Sequence, residues 1–399
     1  METGILVNHV AGIPLLEGPK YTALRQLWKD GDVSLERFAD WFRRQSFAFD
    51  ACDLTLGPSE LLRRSFDTAM MIGAQSVPIG IATVMHLYML GAMATFPTRD
   101  RESLFKRETI FGLIRDHQWL VANSGSDMQV RSDNASNASM VAERVADGIC
   151  FSGHKTFVSL ATVADLLVFT ATEKGTGSLL SMFALLRGID GIRFENAPFP
   201  AFLSETGTRS VVMERLVLPL ENMISGGRTV AFEHAHAFQR MWFSALIPAV
   251  YLGAAVAALS EARNFACANQ TSPGNRLADL DGVAMEFGRL TLTLSSAFIG
   301  FETVCQAITR ACDAPDGAVT TAAADLASIF KYNSMRAICE VAPALRRFVG
   351  TRSMMPHSSL LRFSQESMFG PLHPELESLL ERRLGSNYLH AAKDTPCEL

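Results

Sequence analysis

The chain lacks the features that mark several large classes of protein. Only 19% of its 399 residues are charged, and its net charge of -5 comes without a basic stripe, which argues against nucleic acid as the main partner. Its seven cysteines are odd in number and form no Cys-x-x-Cys pair. We therefore expect free thiols in a reducing, cytoplasmic setting, and no structural metal site.

Export and membrane signals are also missing. Residues 1–7 contain no basic segment ahead of a long apolar core, so we expect no signal peptide. No uncharged apolar run has the character of a membrane span of roughly 18 residues. Residues 72–96 come closest, but they contain Gln75, Pro78 and His86. We interpret this segment as a buried helix, and His86 as a satisfied core histidine or, second, as an active-site wall residue.

The pattern of residue types changes twice along the chain. Residues 1–118 show apolar positions three and four apart, which predicts helices. Residues 119–228 carry Gly, Ser and Asn turns between short apolar runs, which is typical of a β-sandwich or barrel. Residues 229–399 have the helical pattern again. The predicted order is therefore helices, strands, helices, with 48% hydrophobic residues available for large cores.

The most specific motif lies within residues 150–170. Residues 152–154 predict a turn, and the apolar run 166–170 predicts a buried strand, so the motif is interpreted as a hairpin leading into a strand. Between them runs the order Gly-x-Lys-x-aromatic-x-Ser, with the aromatic at Phe157 and the hydroxyl at Ser159. This order, with Ala-Asp before the strand, resembles the central β-domain of the acyl-CoA dehydrogenase superfamily.

The resemblance implies an α+β multidomain fold: an N-terminal α-helical domain, a central β-domain and a C-terminal four-helix bundle. It also implies bound FAD in a homodimer or homotetramer, with Phe157 against the flavin ring and Ser159 hydrogen-bonded to its N5/O4 edge. A dehydrogenase of this superfamily removes the α-proton of an acyl thioester with a base while the β-hydrogen moves as hydride to the flavin.

Further segments resemble the superfamily's other flavin contacts. A Gly-Ser-Asp loop follows residues 119–121, and such a loop can bind a phosphate or ring edge through its N–H groups, although it is also an ordinary turn. A glycine after Phe348 matches the turn that contacts the adenine half of FAD across the dimer. The superfamily arginine that reaches the FAD pyrophosphate is replaced by residues 269–270, and Arg276 is the nearest substitute, with an exposed loop arginine as the alternative. The residues implied are Trp119, Val121, Gly125, Ser126, Arg276 and Gly350.

The segment 207–223 is a second strong match, to the pattern Gly-x-Arg-x-Ser, a strand and then Val-x-Val-Pro-x-x-Asn. Its composition also describes a turn, a strand and a proline-terminated edge. We expect this segment to identify the fold and to perform no chemistry.

Both usual positions of the superfamily's catalytic glutamate hold other residues. One position is Gln239 and the other lies within two residues of Pro371, and neither side chain can act as a general base. Arg240 matches a superfamily arginine that could offset negative charge near the flavin or thioester, or it could be an ordinary helix-surface arginine. A histidine placed like His373 serves the superfamily's flavin monooxygenases, although His373 could also be a turn residue between prolines. The candidate bases are His373, Glu366, Glu375 and His86.

Three hypotheses follow. The chain could be an acyl-thioester dehydrogenase, on coenzyme A or a carrier protein, with a relocated base and an electron-transfer partner. It could be a flavin oxygenase that uses molecular oxygen and a residue such as His373. It could also be a non-catalytic member that keeps the fold and the flavin.

Overall fold

The computed structural model confirms the predicted order of helices, strands and helices. It describes residues 9–10, 13–14, 16–29, 31–97, 101–124, 140–196, 201–226, 230–314, 316–355 and 358–391. One apolar core cluster includes residues from all three parts of the chain, so the helices and the sheet pack on a common interior.

In the part of the chain that the structure describes, five α-helices precede the sheet, and several of them have a proline in the first turn or a serine N-cap. Ser34 accepts a hydrogen bond from Arg37 N at the start of one, and Ser76 accepts one from Ile79 N at the start of another, as N-cap residues do. The elements are β1 His9–Val10, β2 Ile13–Pro14, α1 Pro19–Leu27, α2 Leu35–Arg43, α3 Pro58–Gly73, α4 Val77–Thr95 and α5 Arg101–Asp116.

The described residues of the central segment form one mainly antiparallel sheet of eight strands. Their order across the sheet is β10-β7-β6-β4-β5-β9-β8, and β3 pairs in parallel with β6. The strands are β3 Val121–Ser124, β4 Val141–Val145, β5 Gly148–Val158, β6 Leu166–Glu173, β7 Leu179–Leu185, β8 Ile192–Asn196, β9 Arg209–Leu218 and β10 Met223–Gly226.

The predicted turn at residues 152–154 is wrong. These residues lie inside β5, which pairs with β4 on one side and β9 on the other. The register with β9 shifts between Phe151 and Gly153, and Gly153 has φ 149°. A glycine in this conformation allows a bulge that bends a strand without reversing it. The same Gly-containing pattern therefore produces a bulge, because both neighbouring strands hold β5 in the sheet.

The C-terminal part is built on three long helices. The elements are α6 Val230–Ala268, β11 Gln270–Ser272, β12 Asn275–Arg276, α7 Asp281–Asp313, α8 Gly317–Val349, α9 Ser359–Glu366 and α10 Glu377–Ala391. The helices α6 and α7 both pack on α8, and α3 and α4 pack on α6. The N-terminal helices therefore share the core of the C-terminal ones.

Two helices are apolar enough to be compared with membrane spans. Among the described residues, α4 and residues 235–268 of α6 are long and apolar enough to cross a membrane, but 89% and 78% of their most apolar windows are buried inside the protein. Their composition is accounted for by their place in the core, as the sequence predicts for α4. The six cysteines in the described residues are all free thiols.

Candidate active site

Phe157 lies in a second bulge of β5. The register with β9 shifts between Lys155 and Val158, and Phe157 has φ 56° with a half-buried side chain. A non-glycine residue in this left-handed region is costly by roughly 1–2 kcal/mol, and such strain is concentrated at functional sites. The strand thus holds one aromatic ring in a conformation that an ordinary β-residue does not adopt.

A chain of buried hydroxyls begins at Ser159, two residues further on. The Ser159 Oγ lies 2.9 Å from Thr208 Oγ1, which lies 2.7 Å from Thr206 Oγ1. The Thr206 hydroxyl donates to the carbonyl oxygen of Leu203 at 2.8 Å. All three hydroxyl residues are buried. This chain connects the predicted flavin strand to the segment 207–223, which we expected to be only structural.

His86 links α4 to the start of β3, the strand that precedes the predicted flavin loop in the chain. Val121 N donates to His86 Nδ1 at 3.1 Å, so Nε2 carries the proton and donates to the Ala48 carbonyl oxygen at 2.9 Å. Burial lowers the pKa of His86 to about 4, so the ring is neutral at pH 7. The prediction of a satisfied core histidine is confirmed, and both ring nitrogens are engaged.

The predicted residues around β3 are only partly described. Val121 is buried in the first position of β3, and half-buried Trp119 stacks on His117 with ring centroids 4.8 Å apart. Gly125 and Ser126 lie outside the described residues. Asp165, from the Ala-Asp motif, accepts from Leu120 N at 2.8 Å. The motif's aspartate therefore anchors the chain that leads into β3.

Two buried hydroxyls on the predicted flavin strands have no partner. Ser124 Oγ, at the end of β3, and Thr156 Oγ1, beside Phe157, are buried without a hydrogen bond among the described residues. A buried hydroxyl without a partner costs roughly 1–3 kcal/mol. Both residues adjoin positions assigned to flavin contacts, and a flavin ring offers polar edges to such groups. The residues present therefore fit a bound flavin.

The helical half of the candidate site is centred on His373. Its Nε2 is 2.8 Å from the hydroxyl of Tyr251, a fully buried residue of α6, and its ring packs edge-on against Phe243. Burial, with Lys331 nearby, lowers the pKa of His373 to about 3. The imidazole is therefore neutral at pH 7 and is directed into the helical core.

Glu366, a half-buried residue at the end of α9, lies near the same cluster. Burial raises the pKa of its carboxyl to about 7, although Arg362 acts in the opposite direction. Glu366 is close enough to Tyr251 to contribute to the rise in the pKa of the phenol. Among the predicted bases, Glu366 is thus the one whose carboxyl gains and loses its proton near neutral pH.

Lys331 holds the backbone on both sides of Pro374. Its buried ammonium donates to the carbonyl oxygens of His373, at 2.7 Å, and Glu375, at 2.6 Å. Burial lowers the pKa of Lys331 to about 8. The lysine also lines a small cavity with Ser244 and Ser328, whose buried hydroxyls lack partners among the described residues.

The Glu375 carboxylate is bound by an arginine, whereas Arg240 lies near a carboxylate and its Nε has no hydrogen-bond partner among the described residues. Glu375 accepts two hydrogen bonds from Arg383, each 3.0 Å long, and Arg383 also pairs with Asp325 at 2.6 Å. Arg240 lies 3.5 Å from the same Asp325. Burial, and then the nearby Arg383, lower the pKa of Arg240. Gln239, the residue before Arg240 on α6, is half-buried.

The helix α4 lies between the two halves of the candidate site. His86 contacts β3, whereas Tyr88 packs edge-on against Phe243 of α6 with ring centroids 5.3 Å apart. Residues two apart lie on nearly opposite faces of a helix. In this conformation the cluster around His373 therefore faces α4 from the side opposite to β3. The contacts of His373 with Tyr251, Phe243 and Lys331 all join it to the helices α6 and α8.

The predicted contacts to the distal half of FAD lie on the C-terminal helices. The Arg276 guanidinium is exposed and bound to Asp279 at 3.1 and 3.2 Å, which corresponds to the alternative of an exposed loop arginine. Gly350 ends α8 with φ 69°. Arg352, two residues later, donates to Asn269 and lies over Phe265, with its guanidinium carbon 5.4 Å from the ring centroid.

Sequence reasoning missed four residues of these networks. Thr208 lies in a motif that we had assigned to the fold alone, and Thr206 lies outside it. Tyr251 is a single tyrosine in an apolar helix, and Lys331 is a single charge on a mostly apolar face of α8. A lone polar residue within an apolar stretch was the only available signal, and it does not identify the partner.

No family model matches the chain, and no curated protein matches it either. Among the described residues, no group of three or more His, Cys, Asp or Glu residues could hold a metal ion.

Solved structures do match over most of the chain. TdsC from Paenibacillus sp. A11-2, in complex with FMN and indole, has a TM-score of 0.74 at 16% identity and covers 88% of this chain and 90% of its own. The FAD complex of PigA has a TM-score of 0.69 at 16% identity, covering 92% and 94%.

A third match is the prolyl acyl carrier protein oxidase AnaB, with a TM-score of 0.68 at 14% identity and coverage of 94% and 99%. At these identities the comparison concerns the fold. The chain has the acyl-CoA dehydrogenase-like fold that its central motif predicts.

Proposed function

We propose that the chain is a flavin-dependent oxidoreductase that acts on an acyl thioester, with FAD as its cofactor. The observation that carries this proposal is Phe157, held with φ 56° in a bulge next to a buried hydroxyl chain. Two similar structures, TdsC and PigA, are complexes with FMN and FAD, which supports a flavin site on this fold.

When bound, FAD supplies an acceptor for two electrons. Phe157 would lie against the ring, Ser159 at its N5/O4 edge, and the loop with Gly125 and Ser126 beside it. Gly350 would contact the distal half of FAD from a second subunit of a homodimer or homotetramer. His86 fixes the start of β3, which leads into that loop.

Among the predicted bases, Glu366 has the pKa best suited to accept a proton in a dehydrogenase reaction, and this role requires the substrate to reach the side of α4 opposite to β3. An effective general base has a pKa near the working pH, and burial gives Glu366 a pKa of about 7. The pKa of about 3 makes His373 a weak base in this conformation. Glu375 accepts two hydrogen bonds from Arg383, so its carboxylate is not free for the substrate.

An oxygen-dependent reaction is the second candidate. Gln239 and Pro371 stand where the superfamily's glutamates are expected, and His373 is directed into the helical core. A site without an aligned carboxylate favours chemistry that begins with oxygen over removal of an unactivated α-proton. One similar structure is a dibenzothiophene monooxygenase and another is a prolyl acyl carrier protein oxidase.

The test is a panel of acyl thioesters added to the flavin-loaded protein with and without oxygen. We expect little anaerobic bleaching by butyryl- or octanoyl-CoA, and turnover with activated substrates, such as aryl-acetyl thioesters, or with oxygen. Glu366→Gln should abolish anaerobic turnover of activated substrates and leave flavin binding intact. Rapid anaerobic reduction by octanoyl-CoA that is unaffected by changes at Glu366, Glu375 and His373 would show that the base lies elsewhere.

A further inference from the structure

The hydroxyl chain that begins at Ser159 has a fixed direction. A hydroxyl donates a single proton and accepts up to two hydrogen bonds. The Leu203 carbonyl oxygen can only accept, so the proton of Thr206 is committed to it. Thr208 must then donate to Thr206, since their oxygens are 2.7 Å apart.

Counting hydroxyl protons in the same way makes Ser159 a donor to Thr208. The proton of Thr208 is already used, so the 2.9 Å contact requires Ser159 to donate to Thr208. Its hydroxyl is then left with acceptor capacity alone. Because all three hydroxyl residues are buried, water does not readily replace these bonds and reverse the chain.

A group that only accepts hydrogen bonds interacts differently with the oxidised and the reduced flavin ring. The oxidised isoalloxazine has a lone pair at N5 and a carbonyl at O4, and both are acceptors that cannot bond to another acceptor. Two-electron reduction places an N–H at N5, which is a donor. A protein group that only accepts therefore interacts favourably with the reduced ring and not with the oxidised ring at this edge.

We infer that the hydroxyls of Thr206 and Thr208 fix Ser159 as a hydrogen-bond acceptor, and that Ser159 in this state raises the reduction potential of the flavin. The inference rests on the proposed flavin site. Ser159 contacts the ring as a hydrogen-bond acceptor, and no proton passes along the chain of hydroxyls. Thr208 acts through Ser159, because it accepts the only hydroxyl proton of the serine.

The experiment measures the midpoint potential of the flavin-loaded full chain during anaerobic reduction with dithionite against a reference dye. Removal of one net hydrogen bond in Ser159→Ala should change the equilibrium constant for reduction about fivefold, which is about 20 mV lower for a two-electron couple. Thr208→Val should also lower the potential, although Ser159 is still present, because the serine proton becomes free to bond the oxidised ring.

Two further variants separate this role from a structural one. Thr208→Ser keeps the hydroxyl and should keep the parent potential. Ser181→Ala removes a buried hydroxyl of β7, outside the chain, and should not change the potential. Thr208→Ala takes the place of Thr208→Val if the valine variant does not fold.

The outcomes are distinguishable. If the parent protein takes up no flavin, both the proposed function and the inference fall. If flavin binds but Ser159→Ala and Thr208→Val keep the parent potential, the inference alone falls. The three hydroxyls then only stabilise the bulge of β5. A lower potential in both variants, with Thr208→Ser unchanged, supports it.

Discussion

At the scale of single residues, Phe157 and Glu366 both adopt states that cost free energy. Phe157 has a left-handed backbone, and burial raises the pKa of the Glu366 carboxyl to about 7. The resemblance implies the role of Phe157, whereas Glu366 was predicted as one of four candidate replacements for the superfamily's glutamate. The sequence could not show the bulge, because the bulge depends on pairing with β9, nor the burial of Glu366, which depends on long-range packing.

The first prediction separates the backbone of Phe157 from its ring. Phe157→Gly relieves the left-handed conformation and Phe157→Ala does not, so the glycine variant should be more stable by about 1 kcal/mol. Both variants lose the ring and should bind flavin more weakly. Denaturant unfolding and flavin titration measure the two effects. Parent-like flavin affinity in both variants would contradict the assignment of Phe157.

The second prediction concerns the pH dependence that Glu366 produces. Its folded pKa is about 7 against an ordinary 4.5, so between these values the folded state binds more protons than the unfolded state. The free energy of unfolding therefore falls as pH rises through this window. Glu366→Gln should reduce the loss between pH 5 and 7.5 by on the order of 1–3 kcal/mol.

Urea unfolding at the two pH values measures this difference. Asp67, whose pKa burial also raises to about 7, contributes equally to both proteins and cancels. Glu340→Gln, at an exposed position of α8, is the control and should keep the parent slope. An unchanged slope in Glu366→Gln would mean that the carboxyl is not buried in solution.

At the scale of elements, α3 and α6 approach closely through a reciprocal pair of glycines. A Cβ added at Gly253 would lie 1.9 Å from the Met70 carbonyl oxygen, and one at Gly73 would lie 2.0 Å from the Val250 carbonyl oxygen. The sequence predicted both helices from their periodicity. It could not predict this crossing, because a glycine within a helix does not indicate which backbone approaches it.

The third prediction follows from that contact. Gly253→Ala should lower the free energy of unfolding by about 1–3 kcal/mol, because a backbone atom cannot move aside as a side chain does. Gly282→Ala, on α7 with nothing within 4 Å, is the matched control and should be neutral or stabilising by up to about 1 kcal/mol. Equal stability of the two variants in denaturant unfolding would contradict the close approach.

At the scale of the whole molecule, α7 presents an apolar row to solvent. Met285, Leu292 and Ile299 are spaced seven residues apart and are 76%, 74% and 70% exposed. Such a row is costly on a free surface and is typical of a helix that packs against another molecule. The expected homodimer or homotetramer remains a prediction, and the sequence alone could not show which helix face stays uncovered.

The fourth prediction tests whether this row joins subunits. Leu292→Glu should shift the protein to a smaller assembly, because a carboxylate at an apolar contact is desolvated without a partner. Gln306→Glu, at an exposed polar position of the same helix, should keep the parent assembly. Light scattering coupled to size-exclusion chromatography gives the mass of each, and identical masses would exclude the row from the subunit contact.

The most direct test of the central claim is the visible absorption spectrum of the purified chain, followed by titration with FAD. The proposed function predicts a yellow protein, or a colourless one that takes up one FAD per chain, and uptake that Phe157→Ala weakens. A colourless protein that binds neither FAD nor FMN would contradict the account and leave a chain that keeps the fold without the flavin.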